Sequence, residues 1–345
     1  MNIPTQSMIS FNIILGTIIT ASSHHWLMTW AGLELNMLSI LVIIMKPKHP
    51  RAAEAAIKYF LIQAIASTMI LFSSTMNAIQ TGQWNILQMN EKYACTILLL
   101  ALTMKIGAAP MYFWLPEVMQ GTTTMTALII ATWQKIAPIT ILFMTHNNLP
   151  PKITMTIGIL STIIGGWGSI NQTQLRKLMA YSSIANLGWT MTIFTTSPHT
   201  ATLNILVYII MLCPTLMLIK IMNMKTLKDS TTMWTSSPMA STLLTLMFLS
   251  LSGLPPLTGF TTKLLILNEL VTQNLTPIAT TMAMLSLISL FFYIRMTYIT
   301  TMTTPPIVSL TTMKWRLISP KLKFTTLIPM SLLTLPLLPI LTSMT

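Results

Sequence analysis

The chain has 345 residues, of which 53% are hydrophobic and only 7% are charged, and its mean hydropathy is +0.70. Because charged residues make up about 25% of an ordinary soluble domain, this composition predicts an all-α integral membrane protein. The net charge of +13 does not indicate nucleic-acid binding, because the basic residues are scattered between apolar runs and form no patch.

Long apolar runs follow one another along the whole chain. Each is long enough to cross the hydrocarbon core of a bilayer, which is about 30 Å thick. In chain order they cover residues 3–21, 26–45, 52–79, 93–120, 125–145, 153–171, 175–196, 200–221, 238–271, 276–300 and 324–343. The sequence therefore predicts about eleven transmembrane helices, and no soluble segment separates them, so we expect a single domain over residues 1–345.

Two of these runs, 93–120 and 238–271, are too long for one straight helix that crosses a bilayer. Each contains an interruption rich in glycine and proline. The interruptions consist of Gly107 and Pro110 in the first run and of Gly253, Pro255 and Pro256 in the second. Because proline lacks the N–H that continues a helix, we expect two broken helices. Inside a membrane such breaks are tolerated only where protein or a hydrated cavity satisfies the backbone.

Lysines and arginines in the connecting loops are distributed unevenly between the two sides of the membrane. Loops on the side of the N-terminus contain eleven of them and the opposite loops contain two. The eleven are Lys46, Lys48, Arg51, Arg176, Lys177, Lys225, Lys228, Lys314, Arg316, Lys321 and Lys323, and the two are Lys92 and Lys152. Because basic loops remain on the cytoplasmic or matrix side, we predict that the N-terminus faces this side and the C-terminus the opposite one.

Residue usage indicates the compartment and the absence of bound cofactors. Thirty methionines and abundant threonine resemble the composition of proteins made inside animal mitochondria, and the N-terminus lacks the features of a signal or transit peptide. Two cysteines, Cys95 and Cys213, are too few for an iron–sulfur cluster. No phosphate-binding loop or metal-binding His/Cys spacing occurs, so we expect no cofactor or metal in this chain.

Four charged residues remain inside the predicted spans after the loop and terminal charges are removed: Glu34, Lys105, Lys135 and Lys263. A charge at the centre of a membrane helix costs about 2.5–3.5 kcal/mol, so pairing, water or function must offset each of them. Simple pairing that locks helices together is one explanation, but one glutamate cannot neutralise three lysines. A lysine that gains and loses a partner can instead take up and release protons at physiological pH.

The two broken runs are the fourth and ninth in the series, so they cross the membrane in opposite directions. Lys105 precedes the first break and Lys263 follows the second, which puts both lysines on the same side of their breaks. This arrangement is typical of an inverted repeat, in which paired broken helices line an ion path near mid-membrane. By contrast, Glu54 and Lys58 have the i,i+4 spacing of an ordinary surface pair, and Glu117 is expected near the membrane interface.

Several stretches identify the chain with a known family. They are "WLPEVMQG" (114–121), "WQKIAP" (133–138), "NQTQLRKLMAYSSIANLGW" (171–189) and "GLPPLTGFTTK" (253–263). Together they resemble the chain 2 family of NADH–ubiquinone oxidoreductase, which are antiporter-like membrane subunits of mitochondrial respiratory complex I. Similar stretches extend from residues 30–38 to 290–298, so the resemblance covers most of the chain.

The resemblance implies a role for each internal charge. Glu34 and Lys105 would form the Glu–Lys pair at the start of a proton path, Lys135 would be the connecting lysine, and Lys263 the terminal lysine. It also implies that NADH, flavin, iron–sulfur clusters and ubiquinone are bound by other subunits. The partners would be the other membrane-arm subunits and inner-membrane lipids.

The sequence departs from the family pattern at two positions. Where relatives often have "PFHFW" and "IAHMGW", this chain has Tyr112 and Asn186 in place of the histidines. Neither residue is expected to titrate, and each can at most orient water.

Two other functions stay open at this point: a stand-alone cation/proton antiporter and a purely structural membrane spacer. The basic loop 303–323, with Trp315, is expected either to contact anionic lipid or a partner, or to be solvated.

Overall fold

The computed structural model describes residues 3–231 and 238–302, and these segments are helical throughout, apart from connecting turns and two isolated β-bridges. The helices are α1 (Ile3–Ser22), α2 (Trp26–Met45), α3 (Pro50–Thr81), α4 (Lys92–Ile106), α5 (Trp114–Gly121), α6 (Thr124–Ala131), α7 (Trp133–Thr145), α8 (Pro151–Ile170), α9 (Leu175–Ile193), α10 (Pro198–Ile221), α11 (Leu227–Thr231), α12 (Pro238–Ser252), α13 (Thr258–Thr272) and α14 (Thr276–Met302). The predicted span 324–343 and the loop 303–323 lie outside the described residues.

Six helical segments in the described parts of the chain are long and apolar enough to cross a membrane. They are Trp26–Met45, Pro50–Thr81, Thr124–Asn148, Pro151–Ile170, Pro198–Ile221 and Thr276–Met302. An all-helical membrane protein is therefore confirmed. Each of these segments begins and ends within a few residues of a predicted apolar run, because the length of an apolar run is a local property of the sequence.

Local capping explains where the long helix α3 begins and ends. His49 precedes it in an extended conformation, and its Nδ1 accepts a hydrogen bond from the Arg51 N–H at 3.2 Å. Pro50 occupies the first turn, where its missing N–H costs nothing. The helix ends at Gly82, whose φ of +70° is the left-handed conformation that glycine adopts readily.

The two predicted breaks are confirmed as interruptions of the helix. The run 93–120 divides into α4 and α5, and the run 238–271 divides into α12 and α13. The predicted run 125–145 lies within one segment, Thr124–Asn148, that is long and apolar enough to cross a membrane, and a single residue in it, Thr132, separates α6 from α7. Thr132 has φ −113° and ψ −73°, and its carbonyl accepts from the Lys135 N–H, three residues later, at 3.3 Å.

The described residues fall into two compact units, which we treat separately. Unit one contains residues 3–161 and 187–198, and unit two contains residues 162–186 and 199–302. In unit one, α1 and α2 approach closely where two glycines face each other. A Cβ atom added to Gly16 would lie 2.9 Å from the Gly32 carbonyl oxygen, and one on Gly32 would lie 2.9 Å from that of Gly16. Small residues of this kind let membrane helices pack backbone to backbone.

In unit two, a short backbone ladder joins the segment before α9 to the segment before α11. The Leu175 N–H donates to the Lys225 carbonyl at 3.1 Å, and the Leu227 N–H donates to the Thr173 carbonyl at 3.0 Å. Helix α14 packs against α11, α12 and α13. These contacts fix both halves of the second broken helix within one unit.

Candidate functional site

The first interruption begins immediately after Lys105, which lies in the last turn of α4 and is only 4% exposed. Gly107 ends the helix with a φ of +83°. Its N–H and that of Ala108 both donate to the Thr103 carbonyl, at 2.9 and 3.0 Å, which is a left-handed helix cap. A Cβ atom on Gly107 would lie 2.7 Å from Leu115 Cδ1, so the backbone conformation favours glycine and a larger residue would displace the Leu115 side chain.

Side chains from two other helices satisfy carbonyl groups that the end of α4 leaves open. Trp114, at the start of α5, donates from Nε1 to the Met104 carbonyl at 3.0 Å. Gln63 of α3 donates from Nε2 to the Lys105 carbonyl at 3.3 Å. Both donors are buried. The backbone carbonyls at the break thus accept hydrogen bonds from protein side chains and are not exposed to lipid, as a membrane interior requires.

Glu34 and Lys105 are neighbours without forming a direct ion pair. Glu34 lies half-buried on α2 and is close enough to Lys105 to act on it electrostatically. Neither residue belongs to a salt bridge within residues 3–231 and 238–302, and the Lys105 ammonium donates no hydrogen bond to any residue in those segments. The structure therefore brings the predicted pair together and leaves a gap between the two charged groups.

Lys135 lies in the first turn of α7, three residues after the irregular residue Thr132, and is 3% exposed. Its chain neighbour Gln134 donates from Nε2 to the hydroxyl oxygen of Tyr59 on α3 at 2.8 Å. Tyr59 is fully buried, and its ring meets that of Trp114 edge-on, with centroids 5.8 Å apart. Glu34 also acts electrostatically on Tyr59.

Sequence reasoning missed the polar residues Tyr59, Gln63 and Gln134. Tyr59 and Gln63 are four residues apart, so they lie on one face of α3. Gln134 is next to Lys135 in the motif "WQKIAP". The only available signal was that an apolar helix carries two polar side chains at i,i+4 spacing, and this pattern does not identify their partners.

The second interruption places its lysine differently. Helix α12 ends at Ser252, and Gly253 follows with a φ of +82° and an N–H that donates to the Ser250 carbonyl at 3.1 Å. Lys263 of α13 reaches back across the break, and its Nζ donates to the Ser252 carbonyl at 2.7 Å. A Cβ atom on Gly253 would lie 2.9 Å from Lys263 Nζ. The half-buried lysine and the end of α12 thus form one local structure.

The predicted Glu54–Lys58 pair is confirmed, and it has a third member. The Lys58 ammonium contacts Glu54 within α3 and also Glu117 Oε2 on α5, the latter at 2.7 Å. All three side chains are substantially exposed. The charges connect α5, the helix after the first break, to α3.

Tyr112 and Asn186 occupy the positions where the family pattern has histidine. The Tyr112 ring stacks on Phe113 with centroids 4.1 Å apart. Asn186, in unit two, accepts a hydrogen bond from Asn204 Nδ2 at 3.2 Å. Neither arrangement assigns a relay role.

A cavity of about 480 Å³ lies in unit two, and none of the four predicted charges is among its lining residues. It is lined by Thr173, Thr226, Leu227, Lys228, Thr231, Arg295 and Ile299. Within the part of the chain that the structure describes, no group of three or more His, Cys, Asp or Glu side chains is arranged to hold a metal ion.

Comparisons with known proteins agree with the motifs. The family model described as NADH:quinone oxidoreductase/Mrp antiporter, transmembrane, matches residues 23–289. The model of the NADH dehydrogenase subunit 2 C-terminus matches residues 290–344.

Among solved structures, a chain of respiratory complex I from Thermus thermophilus superimposes with a TM-score of 0.80 at 24% identity, covering 89% of this chain and 74% of its own. A chain of the Mrp complex from Dietzia gives a TM-score of 0.77 at 15% identity, covering 84% and 59%. These two likenesses show the fold.

Curated relatives match over nearly the full length. NADH-ubiquinone oxidoreductase chain 2 of Lycodon semicarinatus is 50% identical over 341 residues, covering 98% of this chain and 99% of its own. The protein of the same name from Varanus baritji is 49% identical over 334 residues, covering 96% of each, and that from Xenopus laevis is 46% identical over 313 residues, covering 89% and 91%. On this evidence the chain belongs to the NADH–ubiquinone oxidoreductase chain 2 family.

Proposed function

We propose that this chain is a proton-carrying membrane subunit of NADH:ubiquinone oxidoreductase, respiratory complex I. The observation that carries the proposal is a repeated association between helix interruptions and lysines. Lys105 precedes the break after α4, Lys135 follows the irregularity at Thr132, and Lys263 contacts the end of α12. Irregular backbone and ionisable residues inside a membrane are both costly, and their coincidence in three places favours an ion path over separate structural accidents.

In this proposal the four internal charges act in the order implied by the family. Glu34 and Lys105 are the first residues to respond to a change of charge in a neighbouring subunit. Because Glu34 acts electrostatically on Lys105, a change of charge near the glutamate alters proton binding by the lysine. Lys135 passes the proton on, and Lys263 is the terminal group. The driving charge changes arise in neighbouring subunits, where electrons pass from NADH to ubiquinone.

The remaining features of the proposal concern architecture and location. The chain would form one antiporter-like domain of about eleven spans, built as an inverted repeat around the two broken helices. It would bind no flavin, cluster or nucleotide itself, and would assemble with other membrane-arm subunits and lipids of the mitochondrial inner membrane. The excess of basic loop residues favours a matrix-facing N-terminus and a C-terminus on the intermembrane-space side.

The test is replacement of single lysines in the assembled complex, reconstituted in vesicles. Lys105→Met, Lys135→Met and Lys263→Met are each expected to lower proton transport by about a hundredfold or more, the contribution of a positioned acid–base group. Lys152→Met, at an exposed lysine in the first turn of α8, is the matched control and should transport normally. An unchanged ratio of protons to electrons in all three variants would refute the proposal.

Two other functions make different predictions in the same experiment. A stand-alone cation/proton antiporter would exchange ions in vesicles as the purified single chain, without NADH. A structural spacer would transport normally after Glu34 and Lys105 are both replaced by apolar residues. Neither function explains why three lysines accompany three irregular helix segments.

A further inference from the structure

We infer that Tyr59 and Gln134 are positioning residues for proton transfer between the Glu34–Lys105 pair and Lys135. The inference rests on the proposed function and adds two residues to it. Neither side chain titrates in this role: the proton that Lys105 loses is the proton that Lys135 gains. Their task is to orient the groups and water between the two lysines.

The hydrogen bond between the two side chains crosses from α7 to α3 at the level of Lys135. It joins Gln134 Nε2 to the Tyr59 hydroxyl oxygen at 2.8 Å, and both residues are buried. In a membrane interior a bond between two buried polar side chains is directional and fixes the positions of its partners. Because Gln134 is the residue before Lys135, this bond also fixes the first turn of α7 from which Lys135 projects.

The same face of α3 contacts the other lysine. One turn after Tyr59, Gln63 donates to the carbonyl of Lys105 at 3.3 Å. Helix α3 therefore contacts α4 at Lys105 itself and α7 at the neighbour of Lys135, through two side chains four residues apart.

Unused hydrogen-bonding capacity at this pair points to water. Gln134 Oε1 is buried and accepts no hydrogen bond from any residue within 3–231 and 238–302. The Tyr59 hydroxyl accepts from Gln134 and still has its own proton to donate, and Glu34 is near enough to act on Tyr59 electrostatically. If the Gln134 amide is flipped by about 180°, Oε1 faces the Tyr59 hydroxyl and Nε2 is the polar atom that lacks a partner. Buried polar atoms of this kind bind ordered water, and water between two amines is the medium in which a proton can move.

The competing explanation is a structural bond that only ties α3 to α7. Such a bond would contribute to stability and assembly but would not affect the rate-limiting proton transfer. The two explanations are separated by the solvent deuterium isotope effect on proton transport, which responds to proton transfer and not to helix packing.

The experiment uses Tyr59→Phe, Gln134→Met and the double variant in the assembled complex in vesicles. Tyr59→Phe removes the hydroxyl and keeps the ring that packs against Trp114. Each single variant is expected to lower proton transport per assembled complex about three- to tenfold, as the loss of one hydrogen bond predicts, and to raise the isotope effect. The double variant should be no slower than the slower single variant, because the two residues act as one unit.

Two matched controls are available in unit one. Tyr93→Phe makes the same chemical change at a tyrosine that is 77% exposed, and it should leave transport unchanged. Asn77→Leu removes a buried amide of α3 that donates to the Gln88 carbonyl at 3.0 Å and accepts from the Asn90 N–H. This variant should lower thermal stability without raising the isotope effect.

The outcomes separate the inference from the proposed function. If Tyr59→Phe and Gln134→Met transport protons at the normal rate and isotope effect while Lys105→Met and Lys135→Met do not, the inference is wrong and the proposed function stands. If the lysine variants also transport normally, the proposed function fails. Transport rates are expressed per assembled complex, so reduced assembly of a variant does not count as reduced transport. If Tyr59→Phe does not assemble at all, the transport rate and isotope effect of Gln134→Met test the inference.

Discussion

The first and second helix interruptions use their lysines in opposite ways. At the first, Trp114 and Gln63 donate to the carbonyls of Met104 and Lys105, and the Lys105 ammonium itself makes no hydrogen bond in the described segments. At the second, the Lys263 ammonium is the donor that satisfies the Ser252 carbonyl, at 2.7 Å. One break is stabilised by neighbouring helices and the other by its own lysine.

The difference shows what each lysine can respond to. Lys105 is stabilised by a carboxylate on another helix, so its charge depends on what happens at Glu34. Lys263 is held by a charge-assisted hydrogen bond to its own broken helix, and such bonds are roughly twice as strong as neutral ones. Loss of its proton therefore weakens the contact across the break. Lys105 is suited to sense a remote charge, and Lys263 is suited to couple its charge to the geometry of a helix.

The largest difference in stability between variants of the two breaks is expected when their charged side chains are replaced by uncharged ones. The double replacement Glu34→Leu with Lys105→Met removes one half-buried and one buried charge that make no direct contact, so it should be neutral or stabilising by about 1–4 kcal/mol. Lys263→Met instead leaves the Ser252 carbonyl without a donor and should destabilise by about 1–3 kcal/mol. The thermal midpoint of the assembled complex measures both.

The matched control for that comparison is Lys152→Met, at an exposed lysine of α8 that has no ion pair among the described residues. Its midpoint should not change. A fall of similar size for the Glu34/Lys105 and Lys263 replacements would mean that both lysines stabilise their breaks, and that the two breaks do not differ in this respect.

A smaller effect is expected from the same substitution at the two cap glycines. Gly107 and Gly253 have φ values of +83° and +82°, so alanine at either position costs about 1–2 kcal/mol of backbone strain. The new methyl group differs in what it meets: Leu115 Cδ1 at 2.7 Å in the first break and Lys263 Nζ at 2.9 Å in the second. Gly253→Ala should therefore also lower proton transport per complex, and Gly107→Ala should not.

Thermal midpoints and transport rates of the two alanine variants are compared side by side. Gly82→Ala is the control for backbone strain alone, because Gly82 also has a positive φ, +70°, and no atom lies within 4 Å of an added Cβ. Equal transport by Gly107→Ala and Gly253→Ala would show that the position of the Lys263 ammonium does not matter.

Much of this comparison could be anticipated from sequence, and part of it could not. The breaks at Gly107 and Gly253 are predictable because glycine and proline act locally on the backbone. The pairing of Gln134 with Tyr59 spans 75 positions and depends on how α3 packs against α7, which no spacing rule specifies. Buried tyrosine and glutamine in an apolar helix are also common enough to attract no notice. The irregularity at Thr132 was missed because neither Thr132 nor its chain neighbours Ala131 and Trp133 are the glycine or proline that mark a break in sequence.

The smallest effect is expected at the exposed charges that join α5 to α3. Lys58 contacts Glu54 and Glu117, and exposed ion pairs contribute about 0.2–1 kcal/mol. Lys58→Met should lower the thermal midpoint only slightly, and the difference should shrink as salt screens the remaining glutamates. Proton transport should not change, because Trp114 and Gln63 still satisfy the end of α4. A large loss of transport would instead mean that the first break depends on α5 being tethered by charge, and that both breaks rely on a lysine for their geometry.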